Sequence, residues 1–188
     1  MALDHLFELA SSKGYQHLVF GMPHRGRFNV LTGLMNFDSR YLFRKIAGKS
    51  NVPLLPNIID DVTSHIAQST TKQYGERKLK VTMVHNPSHL EAQNPVSLGK
   101  AYSKQQLHGK DSVINVQVHG DAAVCAQGIV FETQCLAKTP NFEVNGTIHI
   151  ITNNQIGYTT RPIDSRPSKY ATDLFKAYDV PILHINSD

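Results

Sequence analysis

The chain has 188 residues, of which 40% are hydrophobic and 18% are charged, and these proportions are typical of a globular domain rather than a disordered segment. Its formal net charge of +4 comes from scattered Lys and Arg residues, which argues against nucleic-acid binding, because a protein that binds phosphate backbones usually concentrates basic residues on one face. No apolar run approaches the roughly 20 residues of a membrane span, so we expect no membrane-spanning segment.

The two cysteines, Cys125 and Cys135, are expected to be reduced thiols, because their spacing matches no metal-binding pattern. Nothing in this cysteine usage indicates a secreted, disulfide-stabilised protein. Residues 1–10 contain acidic side chains inside their apolar run, so they are not expected to form a signal peptide. Any targeting segment would lie outside this chain.

Apolar periodicity and turn residues predict helices and strands that alternate along the chain. The predicted helices cover residues 3–10, 41–48, 61–75 and 122–138, and the segments 24–36 and 85–106 are each predicted to pass from a loop into a helix. The predicted strands cover residues 17–22, 79–84, 112–118, 147–152 and 180–185, and residues 50–60 are predicted to form a loop. This alternation indicates an α/β fold with a largely parallel sheet flanked by helices. We expect residues 1–188 to form a single, truncated domain, because the last predicted strand has no following segment to cover it.

Two polar strand ends lie about one βαβ unit apart in the sequence. Asp121 follows one predicted strand, and Asn153 and Asn154 follow the next. A right-handed crossover between parallel strands brings both ends to the carboxyl edge of the sheet, where ligands bind in open α/β folds. One carboxylate and neutral amide oxygens suit Mg²⁺ or Ca²⁺ rather than zinc. The alternative is that Asp121 caps a helix and that the asparagines only form a turn.

The start of the predicted helix 122–138 extends this pattern toward a phosphate ligand. The oxygen donors cannot fill the octahedral shell of Mg²⁺, and substrate phosphates usually supply the remainder. The helix start presents free N–H groups beside Asp121, and Ala122 and Ala123 are small enough for an anion to approach the backbone. The pattern therefore predicts a site for a metal-bound diphosphate.

The segment GMPHRGR, residues 21–27, places an imidazole and two guanidinium groups between a strand and a helix. Arginine recognises carboxylate and phosphate groups through its planar, permanently charged fork. His24 can donate to an oxyanion or transfer a proton near neutral pH. The alternative is that Arg25 and Arg27 are solvated and that His24 caps a turn. The polar interruption of an apolar stretch favours a functional loop.

A second polar segment, HNPSHLE, covers residues 85–91. His85 and His89 have the spacing of a helical zinc pair, but Pro87 disfavours helical geometry in front of it, so zinc is disfavoured. Ser88 and Glu91 match the S-x-x-E pattern of a capping box, which predicts a helix start there. Further along, His119 is predicted to lie at a strand end near the diphosphate site, and its role stays open.

Four blocks of sequence, GMPHRGRFNVL, NPSHLEAQNPV, HGDAAVCAQGIVFET and NNQIGYTT, resemble the first (E1) component of the 2-oxoglutarate dehydrogenase family. Within them, GDA and NN resemble the thiamine-diphosphate motif. The resemblance implies a thiamine-diphosphate-binding fold, of which this chain would be the diphosphate-binding half. It leans toward the 2-oxoadipate-type members, because 2-oxoglutarate members tend to have tyrosine and aspartate where this chain has Ser64 and Asn94.

The resemblance also implies roles for individual residues. Asp121 and Asn154 would bind Mg²⁺ through their side chains, and Ile156 would bind it through its carbonyl. The same residues would contact thiamine diphosphate together with Arg25, Leu90, Ala122 and Ala123, and the residues implied for the 2-oxo acid are His24, His65 and Ser88. His24 and His65 would also be catalytic, handling the oxyanion or the distal carboxylate. Without the resemblance, a lone histidine in a helix is more often structural than functional. The resemblance favours the functional interpretation for His65.

The reaction that the resemblance implies is the oxidative decarboxylation of a 2-oxo diacid, 2-oxoadipate or 2-oxoglutarate, with acyl transfer to the lipoyl group of a partner acyltransferase (E2). It also implies a homodimer in the mitochondrial matrix. The chain is much shorter than the family, and none of its residues is a candidate for the acid that activates the aminopyrimidine. The alternative is an inactive cofactor-binding fragment or a regulatory module of the same fold. A nicotinamide-binding Rossmann domain is disfavoured, because no G-x-G-x-x-G opens a helix after a strand.

Overall fold

The computed structural model describes residues 1–50 and 61–187. The helices of this part are α1 Ala2–Ser12, α2 Arg27–Gly33, α3 Ser39–Ile46, α4 Gln93–His108, α5 Asp121–Val124, α6 Gly128–Lys138 and α7 Pro162–Ser165. The strands are β1 His17–Gly21, β2 Ser69–Tyr74, β3 Arg77–Met83, β4 Val113–Gly120 and β5 Thr147–Thr152. Short 3₁₀ helices cover Thr63–His65, Lys110–Ser112 and Asp173–Tyr178.

The strands form a five-stranded sheet in the order β2-β3-β1-β4-β5. β3, β1, β4 and β5 run parallel, and β2 pairs antiparallel with β3 at one edge. The central strand β1 is buried along nearly its whole length, as expected for a parallel strand with helices on both faces. The prediction of an α/β fold with a largely parallel sheet flanked by helices is confirmed.

Helices cover both faces of the sheet with separate apolar layers. On one face, Phe7 of α1 and Leu31 of α2 pack with Phe20 of β1. On the other face, Ala101 of α4 packs with Val19 of β1. Val19 and Phe20 are neighbours in sequence but enter opposite layers, because successive side chains of a strand point to opposite faces. Full burial of each large apolar side chain contributes roughly 1.5–3 kcal/mol.

The predicted helix over residues 61–75 is wrong. The chain forms the 3₁₀ helix Thr63–His65 and then the edge strand β2. The threonines of β2 alternate between exposed and half-buried positions, which suits a pleated, partly solvated strand. Gly75, at φ +59°, makes the turn that returns the chain into β3, so it ends a strand rather than a helix. Pairing with β3 outweighs the weak helical periodicity.

The predicted strand over residues 180–185 is also wrong. Residues 179–187 lie outside the helices and strands, and Leu183 and Ile185 are 84% and 77% exposed. Apolar and β-branched residues favour a strand where cross-strand and core neighbours pack against them. None of the strands in the described part of the chain pairs with this segment.

The predicted helix over residues 122–138 is divided, because the chain leaves helical geometry between α5 and α6, where Gln127 is extended. The predicted loop over residues 50–60 lies outside the described residues except for Ser50. Among the residues that the structure describes, no helix is long and apolar enough to cross a membrane.

Candidate functional site

The carboxyl edge of the sheet collects all of the predicted site positions. They are His24 and Arg25 after β1, Ser88 and Leu90 after β3, Asp121, Ala122 and Ala123 after β4, and Asn154 and Ile156 after β5. His65 joins this edge, because the antiparallel strand β2 begins near the end of β3, where Ser69 pairs with Thr82. Ligands of open α/β folds bind at this edge, so the topology brings distant segments of sequence to one candidate site.

The ends of β4 and β5 are joined by direct contacts. Gly120 and Thr152 are partners in the strand register, and the Thr152 hydroxyl donates to the carbonyl of His119 at 3.0 Å. Beyond β5 the chain folds back over the start of α5. A Cβ placed on Gly157 would lie 3.1 Å from the Cβ of Ala122, so only glycine permits this close approach without a shift. The contact brings the segment after β5 against the first turn of α5.

The two asparagines after β5 each form a local turn. Asn153 Oδ1 accepts from the N–H of Gln155, and Asn154 Oδ1 accepts from the N–H of Ile156, both at 3.1 Å. The turn that the alternative interpretation predicted is therefore present. An amide oxygen has two lone pairs, so Asn154 keeps one for another partner. Both asparagines are exposed, and so is Ile156.

Asp121 is buried beside a positive charge. The residue is 2% exposed, and its Oδ2 lies 3.3 Å from Nη1 of Arg166, whose side chain is 7% exposed. Asp121 is the first residue of α5, and its side chain makes no capping hydrogen bond, so the alternative of a helix cap is wrong. A buried carboxylate requires such a compensating partner. Arg166 supplies it in this structure.

The donors at this position fit a hard divalent cation in their chemistry. The carboxylate of Asp121, the amide oxygen of Asn154 and the carbonyl of Ile156 are oxygen ligands of the kind that Mg²⁺ prefers. Among the described residues, no group of three or more His, Cys, Asp or Glu side chains could hold a metal. A cation here would therefore depend on amide and carbonyl oxygens and on phosphate oxygens of a ligand, and it would share Asp121 with Arg166 or displace it.

The loop after β1 separates two arginines that the sequence had grouped together. His24 and Arg25 are exposed at the carboxyl edge. Arg27 is fully buried and donates to the carbonyls of Met22, Ile66 and Val84 at 2.9, 2.8 and 2.5 Å. Burial lowers the pKa of Arg27 to about 10, so it stays charged at neutral pH. The alternative that Arg27 is solvated is therefore wrong. Through its three hydrogen bonds, Arg27 holds the segments around the site in place.

His65 is held by an acid on its own segment. Its Nδ1 lies 3.0 Å from Oδ1 of Asp61, and its side chain is 17% exposed. A hydrogen bond from the N–H of Val62, together with the His65 contact, lowers the pKa of Asp61. His85 Nδ1 lies 3.0 Å from the carbonyl of His65, which links the segment before β2 to the segment after β3.

The capping box predicted from Ser88 and Glu91 is wrong. Helix α4 begins at Gln93, and its N-cap residue Ala92 makes no side-chain cap. Glu91 instead points into the protein, where its Oε2 lies 2.7 Å from Nδ1 of His119. The S-x-x-E pattern therefore lies in a turn before the helix. Its glutamate does not cap the helix, because it contacts the buried His119 of β4.

The contacts of Glu91 and Arg166 are not evident from the sequence pattern around either residue, and only the partner strand of Glu91, β4, carries a signal. Every second residue from Asn115 through Gln117 and His119 to Asp121 is polar, although β4 reads as an apolar strand. These polar side chains are buried on the face of β4 that meets α4. The alternation predicts a buried polar stripe that leads to the site. The pairing of Arg166 with Asp121 has no such signal, because it depends on the path of a loop.

Comparisons with known proteins identify the family of the chain. The sequence model of the family described as dehydrogenase E1 component matches residues 6–188. A 2-oxoadipate dehydrogenase complex component E1 from Rattus norvegicus is 44% identical over 97% of this chain, and a probable homolog of that component from Caenorhabditis elegans is 42% identical over 97% of it. The mitochondrial 2-oxoglutarate dehydrogenase of Dictyostelium discoideum is 40% identical over 97% of the chain. The aligned region is 21%, 22% and 19% of these relatives, so the chain spans about a fifth of their length.

Proposed function

The chain belongs to the dehydrogenase E1 component family, and from this premise we propose that it supplies the magnesium and diphosphate site, and part of the substrate site, of a thiamine-diphosphate-dependent 2-oxo acid dehydrogenase. The observation that carries the proposal is the meeting of the β4 and β5 ends at the carboxyl edge. There Gly157, which follows the asparagine turn, approaches Ala122 closely, and Ala122 is the neighbour in sequence of the buried Asp121. This is the place where open α/β folds bind phosphate-bearing ligands.

In this proposal the residues at the β4 and β5 ends hold the cofactor. Asp121, Asn154 and the carbonyl of Ile156 would hold Mg²⁺, which would neutralise negative charge on the diphosphate. The residues that line the rest of the cofactor are Ala122, Ala123, Leu90 and Arg25. Arg25 is exposed at the same edge and offers its guanidinium group to an anion. When bound, thiamine diphosphate supplies the carbanion and the electron sink for decarboxylation.

The substrate side of the site is proposed to consist of His24, His65 and Ser88. His24 and Ser88 are exposed beside the carboxyl edge, so they can reach a ligand there. His65 is oriented through Asp61, which fixes one ring nitrogen and leaves the other for the 2-oxo acid. Donors of this kind stabilise an oxyanion or a distal carboxylate when they are already positioned. His24 and His65 are therefore the proposed catalytic residues.

The activity of the whole protein is proposed from the same family membership. The substrate is a 2-oxo diacid, either 2-oxoadipate or 2-oxoglutarate, and the acyl unit passes to a lipoyl group of an E2 acyltransferase, as in succinyl-transferring enzymes. We propose a homodimer that works in the mitochondrial matrix, in lysine degradation or the tricarboxylic acid cycle. The printed names of the relatives, which describe E1 components of 2-oxoadipate and 2-oxoglutarate dehydrogenases, support this choice.

Calorimetric titration of the purified chain with thiamine diphosphate, with and without Mg²⁺, tests the proposal. We expect saturable binding that requires Mg²⁺. Asp121→Asn and Asn154→Ala should weaken it by more than the roughly tenfold that loss of a supporting group costs at a metal site. Asn153→Ala is the matched control, because Asn153 makes the same turn but is not a proposed ligand. Equal binding with and without Mg²⁺, or equal loss in the control, would contradict the proposal.

The second candidate is a cofactor-binding piece without catalysis. It is favoured by the share of its relatives that the chain covers, 21% for the rat protein. It predicts Mg²⁺-dependent binding of thiamine diphosphate but no release of ¹⁴CO₂ from labelled 2-oxoadipate or 2-oxoglutarate. We expect this result for the chain on its own, since no acid among its residues is a candidate for activating the aminopyrimidine. Measurable ¹⁴CO₂ release would exclude this second candidate.

A further inference from the structure

A buried carboxylate lies beside the site without any role in the proposed chemistry. Glu91 is 0% exposed and sits in the segment that carries Ser88 and Leu90. A carboxylate in the protein interior is tolerated only where donors or positive charges compensate for its lost hydration. The identity and order of the donors around Glu91 therefore indicate what it does.

The partners of Glu91 form a chain of hydrogen bonds that crosses two strands and reaches a helix. Glu91 Oε2 lies 2.8 Å from Nδ2 of Asn94 and 2.7 Å from Nδ1 of His119 on β4. His119 Nε2 lies 3.0 Å from Nδ1 of His149 on β5. His149 Nε2 lies 3.2 Å from Nε2 of Gln134 on α6. Each of these distances is typical of an N–H···O or N–H···N hydrogen bond.

With both imidazoles neutral, one direction of donation satisfies every group in this chain. An ionised carboxylate only accepts, so His119 must carry a proton on Nδ1. In neutral His119 the other nitrogen accepts, so His149 must donate from its own Nδ1. The remaining nitrogen of His149 then accepts from the amide of Gln134. Both imidazoles are thereby held as Nδ1–H tautomers with all of their ring nitrogens paired.

The surroundings of His149 agree with a neutral ring. Its ring packs against Phe175 with 4.8 Å between the ring centres. Burial, and then the neighbouring His119, lowers the pKa of His149 to about 3. A neutral imidazole has one donor nitrogen and one acceptor nitrogen. When one nitrogen of the ring donates, the other must therefore accept, and the order of donors along the chain is kept.

The chain of hydrogen bonds ends where the cofactor residues begin. His119 is followed directly by Gly120 and Asp121, and its carbonyl accepts from the Thr152 hydroxyl at 3.0 Å. At the other end of the chain of hydrogen bonds, Glu91 lies in the same segment as Ser88 and Leu90. The network thus ties the segment after β3 to the ends of β4 and β5.

We propose that Glu91 is a positioning residue that imposes the Nδ1–H tautomer on His119 and His149 and thereby holds the end of β4 in the geometry that binds the cofactor. The tautomer order rests on the contacts that link Glu91, His119, His149 and Gln134, and the effect on the cofactor rests on the proposed function. Glu91 touches neither cofactor nor substrate in this proposal. It acts through His119.

Nitrogen-15 NMR of the imidazoles in the histidine-labelled chain tests the tautomer order, with the signals assigned from His119→Gln and His149→Gln. In the unchanged chain we expect both rings as Nδ1–H tautomers at pH 7, and an Nε2–H tautomer at either ring would overturn the proposal. In Glu91→Leu, Nδ1 of His119 loses its acceptor. We then expect both tautomers to reverse, including that of His149, which does not touch Glu91. Glu91→Gln keeps a carbonyl acceptor and should keep both tautomers.

Titration with thiamine diphosphate and Mg²⁺ on the same variants tests the effect on the site. We expect binding about tenfold weaker in Glu91→Leu and within about threefold of the unchanged chain in Glu91→Gln. Reversed tautomers with unchanged binding would overturn the positioning role. If Glu91→Leu does not fold, the tautomers of the unchanged chain and of Glu91→Gln decide the question. Absence of binding in every variant, with the expected tautomers, would contradict the proposed function and leave the tautomer order intact.

Discussion

At the residue scale, Arg25 and Arg27 show how position in the fold divides chemically identical side chains. Arg27 is 0% exposed, and its guanidinium group donates hydrogen bonds to the carbonyls of Met22, Ile66 and Val84. These carbonyls lie after β1, before β2 and after β3, so one side chain fixes three segments of the carboxyl edge. Arg25 faces solvent at the same edge and is available to an anion. The first is structural and the second is the proposed cofactor ligand.

Replacement of each arginine by methionine separates these roles. Arg27→Met should lower the free energy of unfolding by roughly 3 kcal/mol, because it leaves buried carbonyls without donors. Arg25→Met should change it by less than about 0.5 kcal/mol, as is usual for an exposed substitution, but should weaken thiamine-diphosphate binding. Urea denaturation and calorimetric titration measure the two effects. Similar loss of stability in both variants would show that the burial of Arg27 is not what matters.

Ser64 is the residue at which substrate preference is expected to change. It precedes His65 in the 3₁₀ helix near the carboxyl edge, and by family resemblance 2-oxoglutarate enzymes tend to have tyrosine here. A serine leaves more space, which suits the longer diacid. In an enzyme that carries this chain with the remaining parts of an E1 component, Ser64→Tyr should lower the ratio of kcat/KM for 2-oxoadipate over 2-oxoglutarate. One methylene is worth about 10-fold or more in such a ratio.

An unchanged ratio in Ser64→Tyr would defeat this explanation of size selection. Ser64→Ala is the matched control, because it removes the hydroxyl but keeps the space, and it should leave the ratio within about threefold.

At the element scale, helix α4 connects the sheet to the site and contains a glycine that the packing does not require. A Cβ at Gly99 would meet nothing within 4 Å. Gly109, which follows the helix, has a φ of +94° and so does need to be glycine. We therefore expect replacement by alanine to have opposite effects on stability at Gly99 and at Gly109.

Gly99→Ala should raise the free energy of unfolding by about 0.5–1 kcal/mol, because alanine is the better helix former and restricts the unfolded chain. Gly109→Ala should lower it by about 1 kcal/mol or more, because an L-residue is strained at positive φ. Denaturant midpoints at constant m-value measure both changes. A shift of the same sign in both variants would show that helix propensity and backbone strain are not the deciding effects.

At the scale of the whole molecule, the half-buried His149 contributes a pH dependence of stability. Its pKa falls to about 3, first because burial disfavours the charged ring and next because of His119, and the unfolded value is 6.5. Between these values the unfolded chain takes up a proton that the folded chain does not. Stability is therefore fully present above about pH 6.5 and is lost as the pH falls toward 3, by up to roughly 1.4 kcal/mol per pH unit.

Unfolding in urea at a series of pH values checks this dependence. His149→Gln removes the titrating ring and should flatten the fall between pH 6.5 and 4. The groups that face this position are His119, backed by Glu91, from β4, Gln134 from α6 and Phe175. His5→Gln, on the exposed side of α1, is the matched control. An unchanged slope in His149→Gln would assign the acid sensitivity to other groups.

The same scale shows why some segments were predictable and others were not. The segments over 17–22, 79–84, 112–118 and 147–152 are correctly predicted strands, because apolar and β-branched residues, which favour strands, make up most of each segment. Residues 61–75 and 180–185 were assigned wrongly, because an edge strand and an unpaired apolar run are decided by whether a partner strand is adjacent. Local periodicity does not carry that information.

The sequence by itself determined the α/β class, the carboxyl edge as the place of the candidate site, and the family to which the chain belongs, since these follow from local pattern and from motifs in fixed order. Only the tertiary structure decided that Arg166 pairs with Asp121, that Arg27 is buried, and that Glu91 joins His119 instead of capping a helix. Each of these is a contact between segments far apart in the chain. A buried charge selects whichever donor the fold brings within reach, and that choice is made by three-dimensional proximity rather than by the neighbouring residues.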